Sequence, residues 1–240
     1  MNASTQLSVA ELSSAELVVE GRLVDASNAT LFCELKLEDG ATGVRKVVYK
    51  PIAGERPLWD FPDGNLAGRE VAAYLVSNLG GFNLVPTTVM REGPFGPGAV
   101  QEWIHVDPEL DVIAFAQSAD PRLRVMALFD YIINNTDRKF GHVLITHEGI
   151  LFGCDHGVSF HKEFKLRTVI WQFAGLEINA DELALIERLL SRFEELELGL
   201  SPYINSEEIA ALKVRLESLK KEPHFPFPNP NWPAIPWPPV

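Results

Sequence analysis

Hydrophobic and polar residues alternate along much of the first third of the chain, and this pattern predicts β-strands. Within residues 17–50, the stretches ELVVEGRLVD, ATLFCELKLED and GVRKVVYK place apolar side chains at alternating positions. Turn residues separate these stretches at Ser27-Asn28 and at Asp39-Gly40. Two further extended stretches, VPTTVM and GAVQEWI, flank the turn-rich segment REGPFGPG.

One helix is predicted between these two groups of strands. Val71, Leu75 and Leu79 recur at four-residue spacing, which is typical of a helix with one buried face. The helix is expected to begin at Asn65 and to end at the glycine pair 80–81. The first hundred residues therefore predict an antiparallel sheet that carries one helix.

The pattern changes to helices after His105. PELDVIAFAQ and PRLRVMALFDYII both have helical spacing, and each has a proline near its start. HVLIT and ILFGCD then predict two short strands joined by a turn at Glu148-Gly149. The strands form a hairpin that directly follows a helix.

Two more amphipathic helices are predicted near the C-terminus. The first begins with a capping box of Asn179 and Glu182 and continues to Gly199. The second begins at Ser206. The apolar stripes of the two helices consist of Ile186, Leu190 and Phe193 in the first and Ile209, Leu212, Leu216 and Leu219 in the second.

The tail PHFPFPNPNWPAIPWPPV, residues 223–240, contains eight prolines, which exclude a helix. It also contains two phenylalanines and two tryptophans, which are unusual in a free linker. A polyproline II segment that docks on its own domain is favoured over a disordered tail. The alternative is a ligand for a partner protein with an aromatic groove.

Composition restricts the class of protein. With 240 residues, 46% of them hydrophobic, the chain can bury a substantial core. The net charge of −12 argues against a nucleic-acid partner, because phosphates would be repelled. The N-terminus lacks the basic and apolar segments of a secretory signal, and no apolar run is long enough to span a membrane. We expect a cytoplasmic protein without stable membrane association, in which Cys33 and Cys154 are buried free thiols.

The stretch NNTDRKFGHVLI, residues 134–145, contains the first candidate for chemistry. Asp137 lies between a helix and a strand, and Asp155 ends the second strand of the hairpin. Because a short hairpin brings its open ends together, both aspartates are expected to face one cleft. Together with His142 they provide ligands for a divalent cation. The alternative is that Asp137 caps a loop and pairs with a neighbouring cation, Arg138 or Lys139.

Lys50, at the end of a strand, is the second candidate. A partly buried lysine needs a compensating anion, either Glu70 on the following helix or a ligand phosphate. The alternative is a solvated lysine at a strand end. Several histidines near Asp155 suggest a metal-dependent hydrolase as a further alternative, but their spacing matches no helix-borne zinc motif. These histidines are His142, His147, His156 and His161.

In chain order these motifs resemble the protein-kinase fold, and in particular its atypical phosphatidylinositol 3-/4-kinase-like and HipA-like branch. The strand lysine is followed by proline in VVYKP, TDRKFGH resembles a D-R-x-x-x-N catalytic loop, and CDHG resembles the metal-binding D-x-G. The resemblance covers most of residues 17–160 and is closest to a bacterial phosphatidylinositol-kinase-like family. It implies an α+β, two-lobed fold, with residues 1–104 as a β-rich lobe, 105–221 as a helical lobe and 222–240 as a tail.

The resemblance implies a role for each matching residue. Lys50 would contact the nucleotide phosphates and Glu70 would hold it, while Asp137 would orient the acceptor hydroxyl and accept its proton. The remaining roles are an adenine-binding hinge at Glu102, Trp103 and Ile104, a phosphate cover at Ser27 and Asn28, a positive charge at Lys139, and metal ligation by Asp155 and His142. The cofactors implied are ATP and Mg²⁺ or Mn²⁺.

The sequence departs from this family in three respects. It has no glycine-rich phosphate loop, and His142 replaces an asparagine that binds metal in the family. Since imidazole is a softer ligand than an amide oxygen, Mn²⁺ is expected to be preferred over Mg²⁺. The segment after Asp155 is short for an activation loop, and its cations either meet an anionic substrate or form a solvated basic surface. These cations are Lys162, Lys165 and Arg167.

The expected function is transfer of the ATP γ-phosphate to a hydroxyl group. The acceptor is left open among a protein serine or threonine, an inositol lipid and a small molecule, because a fold does not determine a substrate. Two alternatives remain: a nucleotide-binding pseudokinase without catalysis, and transfer of AMP instead of phosphate by the same fold.

Overall fold

A computed structural model describes residues 6–23, 28–37 and 44–240. Ser27 and the predicted turn at Asp39-Gly40 lie outside these residues.

A five-stranded antiparallel sheet forms the first lobe, in the order β1-β2-β3-β5-β4. Leu31, Cys33 and Leu35 alternate along one face of the second strand and are buried beside Val47 and Tyr49 of the third. This alternation is the one that predicted the strands. The strands are β1 (Glu16–Arg22), β2 (Leu31–Lys36), β3 (Arg45–Pro51), β4 (Thr88–Gly93) and β5 (Gly96–Glu102).

Two helices accompany the sheet, α1 (Val9–Ser14) and α2 (Leu66–Gly80). The predicted start and end of α2 are confirmed: the Asn65 side chain accepts a hydrogen bond from the Gly68 amide at 2.6 Å, and Gly81 ends the helix at a φ of +79°. Helix α1 was not predicted, although its capping box of Ser8 and Glu11 is visible in the sequence.

The second lobe is mainly helical and contains a short hairpin. Its elements are α3 (Val112–Ala116), α4 (Pro121–Ile133), β6 (Val143–Ile145), β7 (Leu151–Gly153), α5 (Ala180–Ser191), α6 (Phe193–Leu200) and α7 (Ser206–Lys221). The four leucine and isoleucine side chains of the predicted α7 stripe are buried. The structure therefore has an antiparallel sheet in its first part and mainly helices in its second, as the α+β prediction requires.

Three boundaries in this lobe were predicted incorrectly. Helix α3 begins after Asp111 and not near Pro108, because the Asp111 carboxylate caps the amides of the following turn at 3.1 and 3.0 Å. The helix predicted from Asn179 to Gly199 is divided at Arg192, whose backbone leaves helical geometry with φ −114° and ψ 23°. His142 lies in a 3₁₀ turn before β6 and not in the strand.

The proline-rich tail contacts the helical lobe along its length. Phe225 is buried, and the amide of Gly175 donates to its carbonyl at 3.0 Å. Farther along, the Trp171 indole N–H donates to the Ala234 carbonyl at 2.7 Å, and the Phe140 amide donates to the Pro239 carbonyl at 2.9 Å. The last of these bonds joins the tail to the loop between α4 and β6.

Both cysteines are free thiols, as expected, but only Cys33 is fully buried and Cys154 is partly exposed. Burial raises the pKa of Cys33 to about 11 and that of Cys154 to about 12. Because the thiolate is the reactive form, we expect both to react slowly with a thiol reagent near neutral pH in the native protein. Unfolding in urea should release both for rapid reaction, and rapid native labelling of either would contradict this.

Candidate active site

Three charged groups from distant parts of the chain meet where the two lobes face each other. The Lys50 ammonium, at the end of β3, forms a close ion pair with Glu70 on α2 and a second one with Asp155 at 2.9 Å. Glu70 is buried, and its second oxygen accepts the His156 amide at 3.1 Å. The structure thus brings Lys50 and Glu70 together, and the alternative of a solvated strand-end lysine is wrong.

The charges of this cluster stabilise one another. Burial acts to lower the pKa of Lys50, but the carboxylates of Asp155 and Glu70 outweigh burial and hold that pKa above its usual range. The Lys50 ammonium in turn lowers the pKa of Asp155. Burial raises the pKa of Glu70, and Lys50 opposes that rise. Lys50 is therefore cationic and Asp155 anionic at neutral pH.

Asp155 has an unusual backbone for a residue that is not glycine. It follows β7 with a φ of +59°, in the left-handed region. Such conformations have a free-energy cost and are frequent at functional sites. Half of its side chain is exposed, so its second carboxylate oxygen is accessible to a ligand.

Asp137, His142 and Asp155 form a group whose candidate ligand atoms lie within 4.8 Å of one another. The Nδ1 of His142 donates a hydrogen bond to the Asp137 carbonyl at 2.8 Å, so the proton is on Nδ1. The lone pair on Nε2, which lies 3.4 Å from Asp155 Oδ2, is then available. Burial lowers the pKa of His142, which favours the neutral form that binds metals. Two carboxylates and a neutral imidazole fit a divalent cation.

The Asp137 carboxylate is set in the loop that follows α4. Its amide donates to the Asn135 side chain at 3.0 Å, and its Oδ2 lies 3.3 Å from the Lys139 ammonium. Burial raises its pKa, although Lys139 and His142 oppose this effect. The alternative pairing with a neighbouring cation is present for Lys139 and absent for Arg138.

Arg138 lies beneath the site and was not identified from the sequence as a supporting residue. Its side chain is completely buried and forms an ion pair with Asp130 of α4 at 2.8 Å. Its guanidinium also donates to the carbonyls of His142 and Cys154, at 3.0 and 3.1 Å, and to His156 Nε2 at 2.7 Å. It thereby connects the loop carrying Asp137 to the strand end carrying Asp155. Asp130, a charge in an otherwise apolar helix segment, was the signal available in the sequence.

The other histidines do not support a metal-dependent hydrolase. The imidazole of His156 is buried and accepts from Arg138, while His147 lies beside Asp107 at 3.4 Å. The His161 ring packs against Phe61 at 5.5 Å. Among the residues that the structure describes, His142 is the one histidine in the candidate metal cluster.

Two cavities meet at Lys50 and Asp155. The first, which we call the hinge-side cavity, has a volume of about 470 Å³ and is lined by residues including Val48, Glu102, Trp103, Ile104, His142 and Leu144. The second, the loop-side cavity, has a volume of about 500 Å³ and is lined by residues including Asn28, Trp59, Asp137, Arg167 and Trp232. Thr30, Lys50 and Asp155 line both. Each volume is in the range typical of a small-molecule site.

In the predicted hinge, the side chains of Glu102 and Trp103 contact other parts of the protein, whereas one backbone amide is left for a ligand. The Glu102 carboxylate accepts hydrogen bonds from Arg45 at 2.8 Å and from the Leu7 amide at 3.1 Å. These bonds hold the protein's own segments together and do not involve a ligand. The Trp103 ring packs edge-on against Phe32 at 5.0 Å. Within the described part of the chain, the Ile104 amide donates to no protein acceptor. It is therefore the hinge donor most available to a ligand.

Asn28, predicted to cover the phosphates, lines the loop-side cavity. Its side-chain oxygen accepts from the Arg56 amide at 3.0 Å. Asn28 thus connects the residues just before β2 to the loop after β3. Of its side chain, the amide nitrogen remains for a ligand.

Comparison with known proteins finds one related sequence and several similar folds. The chain is 43% identical over 267 aligned positions to Protein Rv2133c of Mycobacterium tuberculosis, an alignment that covers 95% of this chain and 94% of the relative. No family model matches the chain. No helix in the described residues has the length and apolar character needed to cross a membrane.

Several kinases are among the similar folds, at low sequence identity, and they confirm the predicted kinase-like fold. The similar folds include a hydra Fam20 solved with sugar, with a TM-score of 0.57, 14% identity and coverage of 88% of this chain and 86% of the other. The Golgi casein kinase solved with Mn/ADP has a TM-score of 0.56 and 13% identity, and the match covers 88% of this chain and 73% of the other. The Helicobacter pylori proinflammatory kinase CtkA has a TM-score of 0.53 and 12% identity, and the match covers 89% of this chain and 94% of the other. At these identities the similarity establishes the fold.

Proposed function

This chain belongs to the same family as the mycobacterial Protein Rv2133c, and we propose that it is an ATP-dependent kinase that transfers the γ-phosphate to a hydroxyl group. The observation that supports this most strongly is the meeting of two cavities at the Lys50–Asp155 ion pair, with Asp137 on the loop-side wall. One cavity provides room for a nucleotide base and the other for an acceptor, so the phosphates would lie between them.

The hinge-side cavity has the properties of an adenine site. Val48 and Leu144 provide apolar walls, and Glu102 and Ile104 also line the cavity. An adenine ring presents one hydrogen-bond acceptor and one donor on an edge, so a backbone amide and carbonyl are a matching pair. From this position the nucleotide phosphates would reach Lys50, whose ammonium Glu70 holds in place.

Asp137 is proposed as the residue that orients the acceptor hydroxyl and accepts its proton. Its carboxylate is partly buried and has a raised pKa, which makes it a better base than an exposed carboxylate. Lys139, 3.3 Å from it, would place positive charge near the transferred group. Phosphoryl transfer depends mainly on positioning and charge neutralisation, which these residues provide.

Asp155 and His142 are proposed to hold a divalent cation, with Asp137 beside them. When bound, such a cation neutralises negative charge on the nucleotide phosphates. Because one ligand is an imidazole nitrogen, we expect the nucleotide to bind more tightly with Mn²⁺ than with Mg²⁺.

The metal preference can be tested by titrating ADP into the protein with each cation in turn. His142→Asn restores an amide oxygen and should narrow the difference between the two cations. Equal or tighter binding with Mg²⁺ in the unmodified protein would contradict the role of His142.

Nucleotide binding is tested by thermal denaturation. ADP with Mn²⁺ at about one hundred times its dissociation constant should raise the melting temperature by about 5–10 °C. Lys50→Met and Asp155→Asn should remove most of this increase, because they remove the two charged side chains that line both cavities. Lys46→Met is a matched control, since Lys46 lies on the same strand and forms an ion pair with Glu34. An equal loss in the control would show that the effect is not specific to the site.

Several finer features remain proposals. The acceptor is a protein serine or threonine, an inositol lipid or a small molecule, and the grouping with phosphatidylinositol 3-/4-kinase-like and HipA-like enzymes and the cytoplasmic location stay predictions. A pseudokinase would bind nucleotide without turnover. AMP transfer would be recognised by mass spectrometry, because the product would carry an adenylyl instead of a phosphoryl group.

A further inference from the structure

Arg167 occupies a distinctive position in the loop-side cavity. Its Nε donates to the Thr136 carbonyl at 2.6 Å, directly before Asp137. Across residues 6–23, 28–37 and 44–240, no carboxylate lies within ion-pair distance of its guanidinium, and its two terminal nitrogens have no protein acceptor. The side chain is partly exposed and lines the cavity. It therefore presents uncompensated positive charge beside the proposed catalytic carboxylate.

The backbone and side chain of Arg167 are both held in place. Its amide donates to the Asn135 carbonyl at 3.0 Å, and its carbonyl accepts from the Arg138 amide at 3.1 Å. Its guanidinium lies over the Trp232 ring, with 5.5 Å from Cζ to the ring centroid. Held at one edge and on one face, the guanidinium loses little conformational entropy when it binds a ligand.

Trp232 belongs to the C-terminal tail, which is anchored close to this position. The Thr168 amide donates to the Ala234 carbonyl at 3.0 Å, so the tail bonds to the residue after Arg167. The Lys165 ammonium lies 5.1 Å from the centroid of the Trp232 ring and 5.5 Å from that of the Trp59 ring. The tail thus supplies one wall of the loop-side cavity.

The other two cations of the segment after Asp155 have different environments. Lys162 is exposed and paired with Glu207, and Lys165 is buried and contacts the Trp59 and Trp232 rings. Only Arg167 of the three lines the cavity that contains Asp137. The sequence left two interpretations of these cations open, and the structure separates them residue by residue.

The charge balance of the site indicates what Arg167 binds. The protein has a net charge of −12, and the positive charge of Lys50 is already opposed by two carboxylates. An anionic group entering the loop-side cavity would be repelled unless another cation received it. A guanidinium with free terminal nitrogens matches the planar, bidentate geometry of a phosphate or carboxylate.

We propose that Arg167 binds an oxyanion, a phosphate or carboxylate group, in the loop-side cavity, and that Trp232 of the tail positions its guanidinium. This rests on the proposed function for its context. The anion is either the γ-phosphoryl group that is transferred or an anionic group on the acceptor.

Inorganic phosphate is the probe for this proposal. The full chain is loaded with ADP and Mn²⁺, and its melting temperature is measured over a phosphate titration at constant ionic strength. The unmodified protein should be stabilised saturably. Arg167→Gln should weaken the apparent phosphate affinity by about tenfold or more, the scale of a lost charge-assisted bidentate contact. The phosphate affinity of Arg167→Lys should lie between those of the unmodified protein and Arg167→Gln, because lysine keeps the positive charge but cannot form the bidentate hydrogen bonds of a guanidinium.

Further variants separate binding from folding. Lys162→Gln removes the same charge from the same segment outside the cavity and should leave phosphate affinity unchanged. Trp232→Leu keeps an apolar side chain but loses the ring face, and should weaken phosphate binding several-fold. In all of these variants the ADP response should stay as in the unmodified protein, because Arg167 and Trp232 line the loop-side and not the hinge-side cavity. A purely structural role would reduce both responses together.

Loading the protein with a non-hydrolysable ATP analogue distinguishes the source of the anion. If the phosphate response disappears, Arg167 serves the γ-phosphoryl position, and if it persists, Arg167 serves the acceptor. Arg56 is a second arginine that lines the loop-side cavity. The proposal is overturned if Arg167→Gln binds phosphate as the unmodified protein does, if Arg56→Gln abolishes binding in its place, or if the unmodified protein does not respond to phosphate. A phosphate response that depends on Arg167 in a protein that ignores ADP would overturn the kinase function and leave this proposal standing.

Discussion

Asp137→Asn is expected to lower the rate of phosphoryl transfer by about 10²–10⁴-fold, the range for loss of a positioned general base. Asparagine has nearly the same shape as aspartate but cannot accept the hydroxyl proton. The Asp137 amide bond to Asn135 would remain, so the loop should keep its conformation. The measurement is release of labelled phosphate from ATP, or its transfer to the protein itself, in the presence of Mn²⁺.

Nucleotide binding distinguishes a catalytic effect from a folding defect. Asp137→Asn should retain most of the stabilisation by ADP, since Lys50, Asp155 and the hinge-side cavity are intact. Asp181→Asn, in the exposed first turn of α5, is the matched control and should retain full turnover. If Asp137→Asn turned over ATP at a rate close to that of the unmodified protein, Asp137 would not be the base.

Replacing Arg138 by methionine is expected to destabilise the fold by about 3–5 kcal/mol, because it leaves Asp130 as an unpaired buried charge. Both side chains are completely buried, so solvent cannot replace the lost partner. The carbonyls of His142 and Cys154 would also lose their donor. Equilibrium unfolding in urea measures this effect as a lower midpoint with an unchanged slope.

An exposed ion pair provides the comparison for Arg138. Arg192 and Glu195 lie 2.7 Å apart at the surface, and Arg192→Met should change stability by less than about 1 kcal/mol. A double variant, Asp130→Leu with Arg138→Met, should recover part of the loss but not all, since the two carbonyls stay without a donor. If Arg138→Met and Arg192→Met lowered the free energy of unfolding equally, burial of the Arg138–Asp130 pair would not be the cause of the effect.

Many local elements were predictable from short stretches of sequence. Helix α2 begins at the Asn65 side chain and ends at a left-handed glycine, and both signals depend only on neighbouring residues. The same holds for the capping box of Asn179 and Glu182 at α5. Strands β2 and β3 followed from alternation, because one face of each is buried. Such signals act within a few residues, so a pattern in the sequence contains them.

Local rules failed where a tertiary contact changed an element. Phe193 was expected on the helix that begins after Asn179, but it is buried at the start of a separate helix after a break at Arg192. Helix α1 is short and is stabilised by its cap and by the burial of Leu12 under the sheet, so its six residues carry almost no periodic signal.

The sequence by itself determined which residues could do chemistry and in what order they occur along the chain. Four charged residues could be selected because each lies at the end of a predicted element or on a helix face, where a partly buried charge requires a partner. They are Lys50, Glu70, Asp137 and Asp155.

Only the tertiary structure decided how these groups are joined. Lys50 and Asp155 are 105 residues apart in the sequence. Arg167 contacts Trp232, which belongs to the C-terminal tail. The two cavities, the complete burial of the Arg138–Asp130 pair and the position of the Arg167 guanidinium all depend on how distant segments pack. No short pattern specifies such contacts, because burial and charge compensation depend on the packing of the whole chain.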